Sequence, residues 1–185
     1  MTYKGEKNKM NTGKKFEALF QESCKLQGIS CTRLQDAGYR GEHEPDNNKL
    51  KPKRFTISNI CDFICYAQNR LLFVELKSRK SNISFKELDK QASRLLKKHN
   101  ENNWFSDLLH TCGFLFEFSE APQGSNYFYL NIIDYEDFKE SIKKKSFGYK
   151  DFQWENDDFL MLVTTIIHPG KRTPRLNLLD MMKKL

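Results

Sequence analysis

Two carboxylates and one ammonium lie in a segment whose pattern predicts a β-hairpin. The apolar runs 57–66 and 71–77 flank the turn-forming pair Gln68-Asn69, and Asn tolerates positive φ. Because pairing in a two-residue hairpin is set by its turn, Asp62 is predicted to lie opposite Glu75. Facing like charges destabilise a hairpin, and a divalent cation held between the two carboxylates would remove that penalty.

Lys77 adds a third reactive group to this predicted hairpin. Side chains alternate between the faces of a strand, so Lys77 shares a face with Glu75. An ammonium there could polarise a metal-bound water or steady a phosphate. The three groups favour metal-dependent phosphodiester cleavage. The alternative is an ordinary solvated strand face, because Glu-x-Lys triplets are common in lysine-rich proteins.

Composition excludes several classes of protein. The chain has 185 residues with 13% aromatic residues, enough for one domain, 1–185, with a full core. No apolar run approaches the 18 residues needed to span a membrane, and the basic start has no apolar signal core. We therefore expect a cytoplasmic protein, neither secreted nor membrane-bound, with residues 1–12 mobile.

The charge distribution suggests a polyanionic partner. Net charge is +7, and basic residues cluster in 1–15, 49–54 and 77–98. Clusters around the candidate site are typical of a phosphate-contacting surface. A solvated lysine-rich face remains the alternative.

The cysteines and histidines indicate no cofactor by their spacing. Five cysteines, at 24, 31, 61, 65 and 112, include no C-x-x-C and favour neither a disulfide framework nor a zinc ribbon. Cys61 and Cys65 are predicted to be small buried residues on the face opposite Asp62. The four histidines show no ligand spacing.

The remaining pattern predicts a mixed α/β sheet with helices packed on it. Helices are predicted at 14–27, from Ser84 onward, at 134–145 and near the C-terminus, with a capping box at Ser84–Glu87. The apolar face of the second helix comprises Phe85, Leu88, Ala92, Leu95 and Leu96. Strands are predicted at 29–35, 112–118, 126–133 and within 157–167. Segment 36–56 is predicted to be a protruding or flexible insertion.

The order of these elements and several local motifs resemble the PD-(D/E)XK nuclease superfamily, and within it the RecU family of Holliday junction resolvases. The similar segments are Asn11–Glu17, Asp62 with Glu75-Leu76-Lys77, Gln91, Cys112–Phe116 and Pro174–Asn177. Cys61 stands where the superfamily has Pro before the Asp, and Asp36-Ala37-Gly38 replaces a basic segment. Such divergence fits a phage or mobile-element relative.

The resemblance implies a restriction-endonuclease-like fold and a set of roles for the site. Asp62, Glu75, the Leu76 carbonyl and Glu17 would bind Mg²⁺ or Mn²⁺. Lys77 would generate or orient the attacking hydroxide, and Gln91 would position water or phosphate. Glu17 and Gln91 also fit a second interpretation, as polar residues at the edges of buried helix faces.

The resemblance also implies a DNA partner. Segment 36–56 corresponds to the family's stalk, and a homodimer would resolve Holliday junctions in recombination and repair by paired nicks. The residues suited to DNA contact are Lys49, Lys51, Lys53, Arg54, Phe55, Lys80, Lys86, Lys90 and Arg94.

Other functions remain open at this point. A phage exonuclease or a restriction-like endonuclease would keep the chemistry and change the substrate. A non-catalytic DNA-binding protein that modulates recombination would keep only the binding surface.

Overall fold

A computed structural model describes residues 12–34, 59–101, 109–122, 124, 126–151 and 159–185. Residues 1–11 of the predicted mobile start and the predicted insertion 36–56 lie outside these residues, whereas Thr12, also predicted to be mobile, is the first residue of a helix. In chain order the elements are α1 (Thr12–Leu26), β1 (Ser30–Arg33), β2 (Phe63–Ala67), β3 (Arg70–Arg79), β4 (Asn82–Ser84), α2 (Phe85–Glu101), β5 (Leu109–Phe118), β6 (Tyr127–Asn131), α3 (Tyr135–Ile142), β7 (Ser146–Gly148), β8 (Leu160–Leu162), β9 (Thr165–Ile166), β10 (Arg175–Leu176) and α4 (Leu178–Lys184).

The central sheet has six strands in the order β1-β2-β3-β5-β6-β8. Strands β3 and β5 are parallel, and the other neighbours in this sheet are antiparallel. Helix α2 provides the crossover that a parallel pair requires. Two short pairs, β4 with β7 and β9 with β10, complete the described strands. The predicted mixed α/β architecture is confirmed.

The β2–β3 hairpin has the predicted register. Phe63 pairs with Val74 and Ala67 with Arg70, so the turn falls at Gln68-Asn69. Both turn residues have positive φ, 51° and 58°. That geometry matches the right-handed twist of the flanking strands. The predicted first strand was too long, because β2 begins at Phe63 and Asp62 precedes it.

Each face of the sheet packs against its own helix. On one face, Phe73 and Phe114 pack with Leu88 and Leu95 of α2. On the other, Val74 and Leu76 pack with Phe20 of α1 and with Met181 and Met182 of α4. This alternation along β3 directs Glu75 toward α2 and its neighbours toward α1.

Three details differ from the predictions made from the sequence. Leu96, predicted on the buried face of α2, is 37% exposed. The segment predicted as one strand within 157–167 contains two short strands, β8 and β9. Cys61 is buried as predicted, but it packs on the α2 side, because it precedes β2 and does not follow that strand's alternation.

Within the described ranges, the helices are too short or too polar to cross a membrane.

Candidate active site

The Asp62 side chain binds the backbone of β3 just before the first residue of β2. Its Oδ2 accepts a hydrogen bond from the Leu76 backbone N–H at 2.8 Å. Its own backbone carbonyl accepts from the Leu34 N–H, also at 2.8 Å, which ties it to the end of β1. The carboxylate is thus held beside β3 one residue past Glu75.

The Leu76 carbonyl has the orientation expected of a ligand near Asp62. The N–H and C=O groups of one residue in an antiparallel ladder point to the same side of the strand. Since the Leu76 N–H points to Asp62, its carbonyl points toward the space where β2 has already ended. A carbonyl and a carboxylate therefore flank the same opening.

Glu75 lies between β3 and α2 and binds two donors. Its Oε1 accepts from Lys77 Nζ at 2.9 Å and from Gln91 Nε2 at 2.7 Å. Glu75 is only 7% exposed, and the Lys77 side chain is 13% exposed. The structure therefore brings together three of the predicted site residues as one buried, charge-compensated group.

The Gln91 side chain leaves one polar atom unsatisfied. Its Nε2 donates to Glu75, while its buried Oε1 has no hydrogen-bond partner within the described part of the chain. An unsatisfied buried acceptor costs free energy, so native structures rarely retain one without a partner such as a bound water. A water donating to this oxygen would lie next to Glu75.

The Cys61 thiol is buried next to Asp62 in the chain and is affected by the charge of both acids. Burial, and then the charges of Glu75, Cys112 and Asp62, raise the pKa of this thiol to about 12. The two carboxylates therefore act on the same buried atom. Cys61 stays a neutral thiol near neutral pH and contributes no charge.

The residues present fit a hard divalent cation. Mg²⁺ and Mn²⁺ prefer oxygen ligands and keep several waters. Here the Asp62 carboxylate binds the Leu76 N–H next in sequence to Glu75, and the Gln91 side chain that binds Glu75 has an unsatisfied amide oxygen. The Leu76 carbonyl and the carboxylates of Asp62 and Glu75 would bind the ion, and Gln91 would accept from one of its waters.

Glu17 is placed differently from the other predicted ligands. Its Oε2 forms an ion pair with Arg33 at 2.7 Å, on α1 and hence on the other side of the sheet from α2. Among the described residues, the acids Glu17, Asp62 and Glu75 do not form a set with ligand atoms all within 4.8 Å. Arg33 pairs with Phe63, so Glu17 lies at the same end of the sheet as Asp62. Its metal-binding role stays a prediction.

The predicted DNA-contacting residues divide into two sets. Lys80, Lys86 and Lys90 are exposed and Arg94 is half-exposed. Residues 86, 90 and 94 are four apart on α2 and form a basic stripe, with Gln91 between this stripe and the buried face. The other predicted residues, Lys49, Lys51, Lys53, Arg54 and Phe55, lie outside the described residues.

Arg33 was missed by sequence reasoning. It occupies β1, where a single arginine in a short predicted strand gives no signal of a partner on α1. The helix and strand are separated by only the turn around Gly28, whose φ is +67°. That tight reversal could have suggested that charges on the two elements meet.

Comparison with protein-family models gives no match, and comparison with curated proteins gives none either. Among solved structures, the chain is similar to that of Archaeoglobus fulgidus Hjc, a Holliday junction resolvase from an archaeal hyperthermophile. The alignment covers 73% of this chain and 85% of that one, with 15% identity and a TM-score of 0.38. This likeness is distant. The six-stranded mixed sheet flanked by helices agrees with the restriction-endonuclease-like architecture predicted from the sequence.

Proposed function

We propose that this protein is a DNA endonuclease that depends on Mg²⁺ or Mn²⁺. The observation that supports the proposal is that Glu75, Lys77 and Gln91 form one hydrogen-bonded group, while Asp62 binds the backbone N–H of Leu76, the residue that follows Glu75. Two carboxylates, an ammonium and an amide in a largely buried site match what metal-assisted phosphodiester hydrolysis requires.

The roles of the side chains follow from their contacts. The metal ion would supply a Lewis acid and lower the pKa of a bound water. Lys77, within 2.9 Å of Glu75, would donate to the attacking oxygen or to the phosphate and stabilise the charge that develops on it. Gln91 would hold that water through its Oε1 while its Nε2 fixes the orientation of Glu75.

The basic stripe on α2 would bind the DNA backbone next to this site. Lys86 and Lys90, and Lys90 and Arg94, are like-charge pairs at i,i+4, an arrangement that destabilises a helix slightly. Bound phosphates would compensate for that repulsion. Lys80, in the turn after β3, is also exposed and would add to the positive charge available for DNA.

The substrate we propose is a four-way DNA junction, which the RecU-like motifs of the sequence favour. Resolution needs nicks in two opposed strands, so we propose a homodimer with one site in each subunit. The biological setting would be recombination and repair.

The decisive experiment compares a labelled four-way junction with a linear duplex of the same sequence, in Mg²⁺, for wild type, Asp62→Asn and Lys77→Met. We expect paired symmetric nicks in the junction from wild type and none from either variant, with junction binding retained. Asp137→Asn, which removes an exposed carboxylate on α3, is the matched control and should cleave like wild type.

The other outcomes distinguish the alternatives. Cleavage of the linear duplex, or shortening from its ends, would replace junction resolution by restriction-like or exonuclease activity. Binding without metal-dependent cleavage of any substrate would indicate a non-catalytic DNA-binding protein. Equal cleavage by wild type and both variants would show that the site is elsewhere.

A further inference from the structure

Three cysteines, one each from α1, β1 and β2, lie together where α1 packs on the sheet. The Sγ atoms of Cys24, Cys31 and Cys65 all lie within 4.8 Å of one another. The Cys65 thiol donates to Cys31 Sγ at 3.5 Å. Within the described residues, this is the one group of three or more cysteine, histidine or acidic residues with ligand atoms this close.

The fold brings these thiols together through a turn and a strand register. After α1 the chain reverses at Gly28, where φ is +67°, and the Ile29 N–H donates to the Cys24 carbonyl at 2.9 Å. In the sheet, Cys31 of β1 pairs directly with Cys65 of β2. Both side chains lie on the sheet face that packs against α1, and Cys24, which is on α1, lies next to them.

The separations suit a metal ion better than a disulfide. Zinc bound tetrahedrally, with Zn–S bonds of about 2.3 Å, holds its sulfur atoms about 3.8 Å apart. The Cys31–Cys65 separation of 3.5 Å is close to that value, and the other two pairs of sulfur atoms lie within 4.8 Å. A disulfide would require the two sulfur atoms to approach to about 2.05 Å.

The surroundings favour a soft ion. Cys24 and Cys65 line a small apolar space together with residues that include Met181 and Met182 of α4, and thioethers also prefer soft metals.

We propose that Cys24, Cys31 and Cys65 bind one Zn²⁺ ion as three thiolates. The thiol protons are released to solvent as the metal binds. Cys31 is half-buried on edge strand β1, so the fourth position opens on its side and takes a water. The ion would hold α1 against the β1–β2 edge. It lies on the opposite face of the sheet from Glu75, so it is independent of the proposed nuclease site.

Co²⁺ titration of the reduced protein under anaerobic conditions tests this proposal. Wild type should bind one equivalent and show thiolate-to-cobalt charge-transfer bands with tetrahedral ligand-field bands. One equivalent of Zn²⁺ should abolish both. The same titration of Cys31→Ala should lose the charge-transfer bands or at least weaken affinity tenfold. Cys31 is the choice because a half-buried edge position tolerates alanine better than the two buried cysteines.

Cys112→Ala is the matched control. Cys112 is a fully buried thiol in the other core cluster, so this variant also retains four cysteines but should bind Co²⁺ like wild type. A second readout needs no variant: Zn²⁺ should slow alkylation of Cys31 by at least tenfold. Absence of charge-transfer bands in the wild type, equal bands in Cys31→Ala, or a Cys31–Cys65 disulfide that reductants leave intact would each overturn the proposal. None of these readouts depends on DNA cleavage.

Discussion

Glu75 and Lys77 form a largely buried ion pair. Replacing either residue should therefore change the stability of the protein as well as any catalytic activity. Their side chains are 10% and 13% exposed, and the Gln91 amide also donates to Glu75. A buried pair adds little net stability, but removing one partner leaves an uncompensated charge in a poorly hydrated site. Both halves of the pair therefore constrain substitution, even before any role in catalysis is considered.

This leads to a prediction for Lys77→Met. The variant should lose about 3–5 kcal/mol of the free energy of unfolding, because Glu75 is left buried without its cation. DNA cleavage should fall at least about 10²-fold, the usual cost of one preorganised donor. Urea unfolding and single-turnover cleavage measure the two effects.

The double variant Glu75→Gln/Lys77→Met separates the effect on stability from the effect on DNA cleavage. With both charges removed it should regain most of the lost stability and none of the activity. Recovery of cleavage in the double variant would contradict a chemical role for the pair. Lys183→Met, at an exposed position on α4, is the control that should change neither quantity.

At the scale of elements, α1 is joined to the C-terminal segment by a charged contact. Glu22 accepts from Lys171 at 2.9 Å and from Arg175 at 2.8 Å. These two contacts, Lys171 first, lower the pKa of Glu22 from 4.5 to about 2. A carboxyl group whose pKa is lower in the folded state stabilises the fold once pH exceeds its unfolded value.

The lowered pKa of Glu22 determines how stability should depend on pH. The contribution of Glu22 should be fully present above about pH 4.5 and lost as pH falls toward 2. Glu22→Gln should therefore flatten this part of the curve of unfolding free energy against pH. Glu140→Gln, an exposed carboxylate on α3, should leave the curve unchanged. Identical curves for wild type and Glu22→Gln would contradict the contact.

Strands β5 and β6 approach closely at a glycine. A Cβ atom added to Gly113 would collide with the Leu130 carbonyl oxygen and with the Tyr129 ring. Backbone on one side and a fully buried ring on the other leave little room for relaxation.

Gly113→Ala should therefore destabilise the protein by about 1–3 kcal/mol or more, measured by urea unfolding. Gly13→Ala is the matched control, since a Cβ there meets no atom within 4 Å. In helix α1 that change should be neutral or stabilise by less than about 1 kcal/mol. Equal destabilisation of both variants would show that the close approach is not the cause.

At the scale of the whole molecule, part of the positive charge lies on the same helix as Gln91 of the candidate site. Net charge is +7, and Lys86, Lys90 and Arg94 line one side of α2 beside Gln91. Phosphates bound there would release counterions, so affinity would depend steeply on salt.

Replacing Lys86, Lys90 and Arg94 together by Gln should weaken DNA binding. The slope of log affinity against log salt should fall by about 0.9 for each duplex phosphate that the variant no longer neutralises. The control replaces the exposed Lys25, Lys143 and Lys183, which changes net charge equally from +7 to +4. Equal slopes for the two triple variants would mean that net charge, and not the α2 stripe, governs binding.

Local pattern in the sequence was sufficient to predict the hairpin register and the strand or helix face on which Glu75, Lys77 and Gln91 lie. A two-residue turn at Gln68-Asn69, in which Asn tolerates positive φ, set the hairpin register, and strand alternation then placed Glu75 and Lys77 on one face. Helical periodicity placed Gln91 at the edge of the buried face of α2. These rules act between near neighbours, so they can be applied to the sequence alone.

The contacts between separate helices and strands could not be predicted from the sequence and became visible only in the structure. In the folded chain β2 begins only at Phe63, so the Asp62 carboxylate binds the Leu76 N–H and Cys61 packs on the α2 side. It paired Glu17 with Arg33 and gathered three cysteines that no spacing rule connects. The physical reason is that such contacts depend on where a helix docks and where a strand stops. Packing of the whole core fixes both.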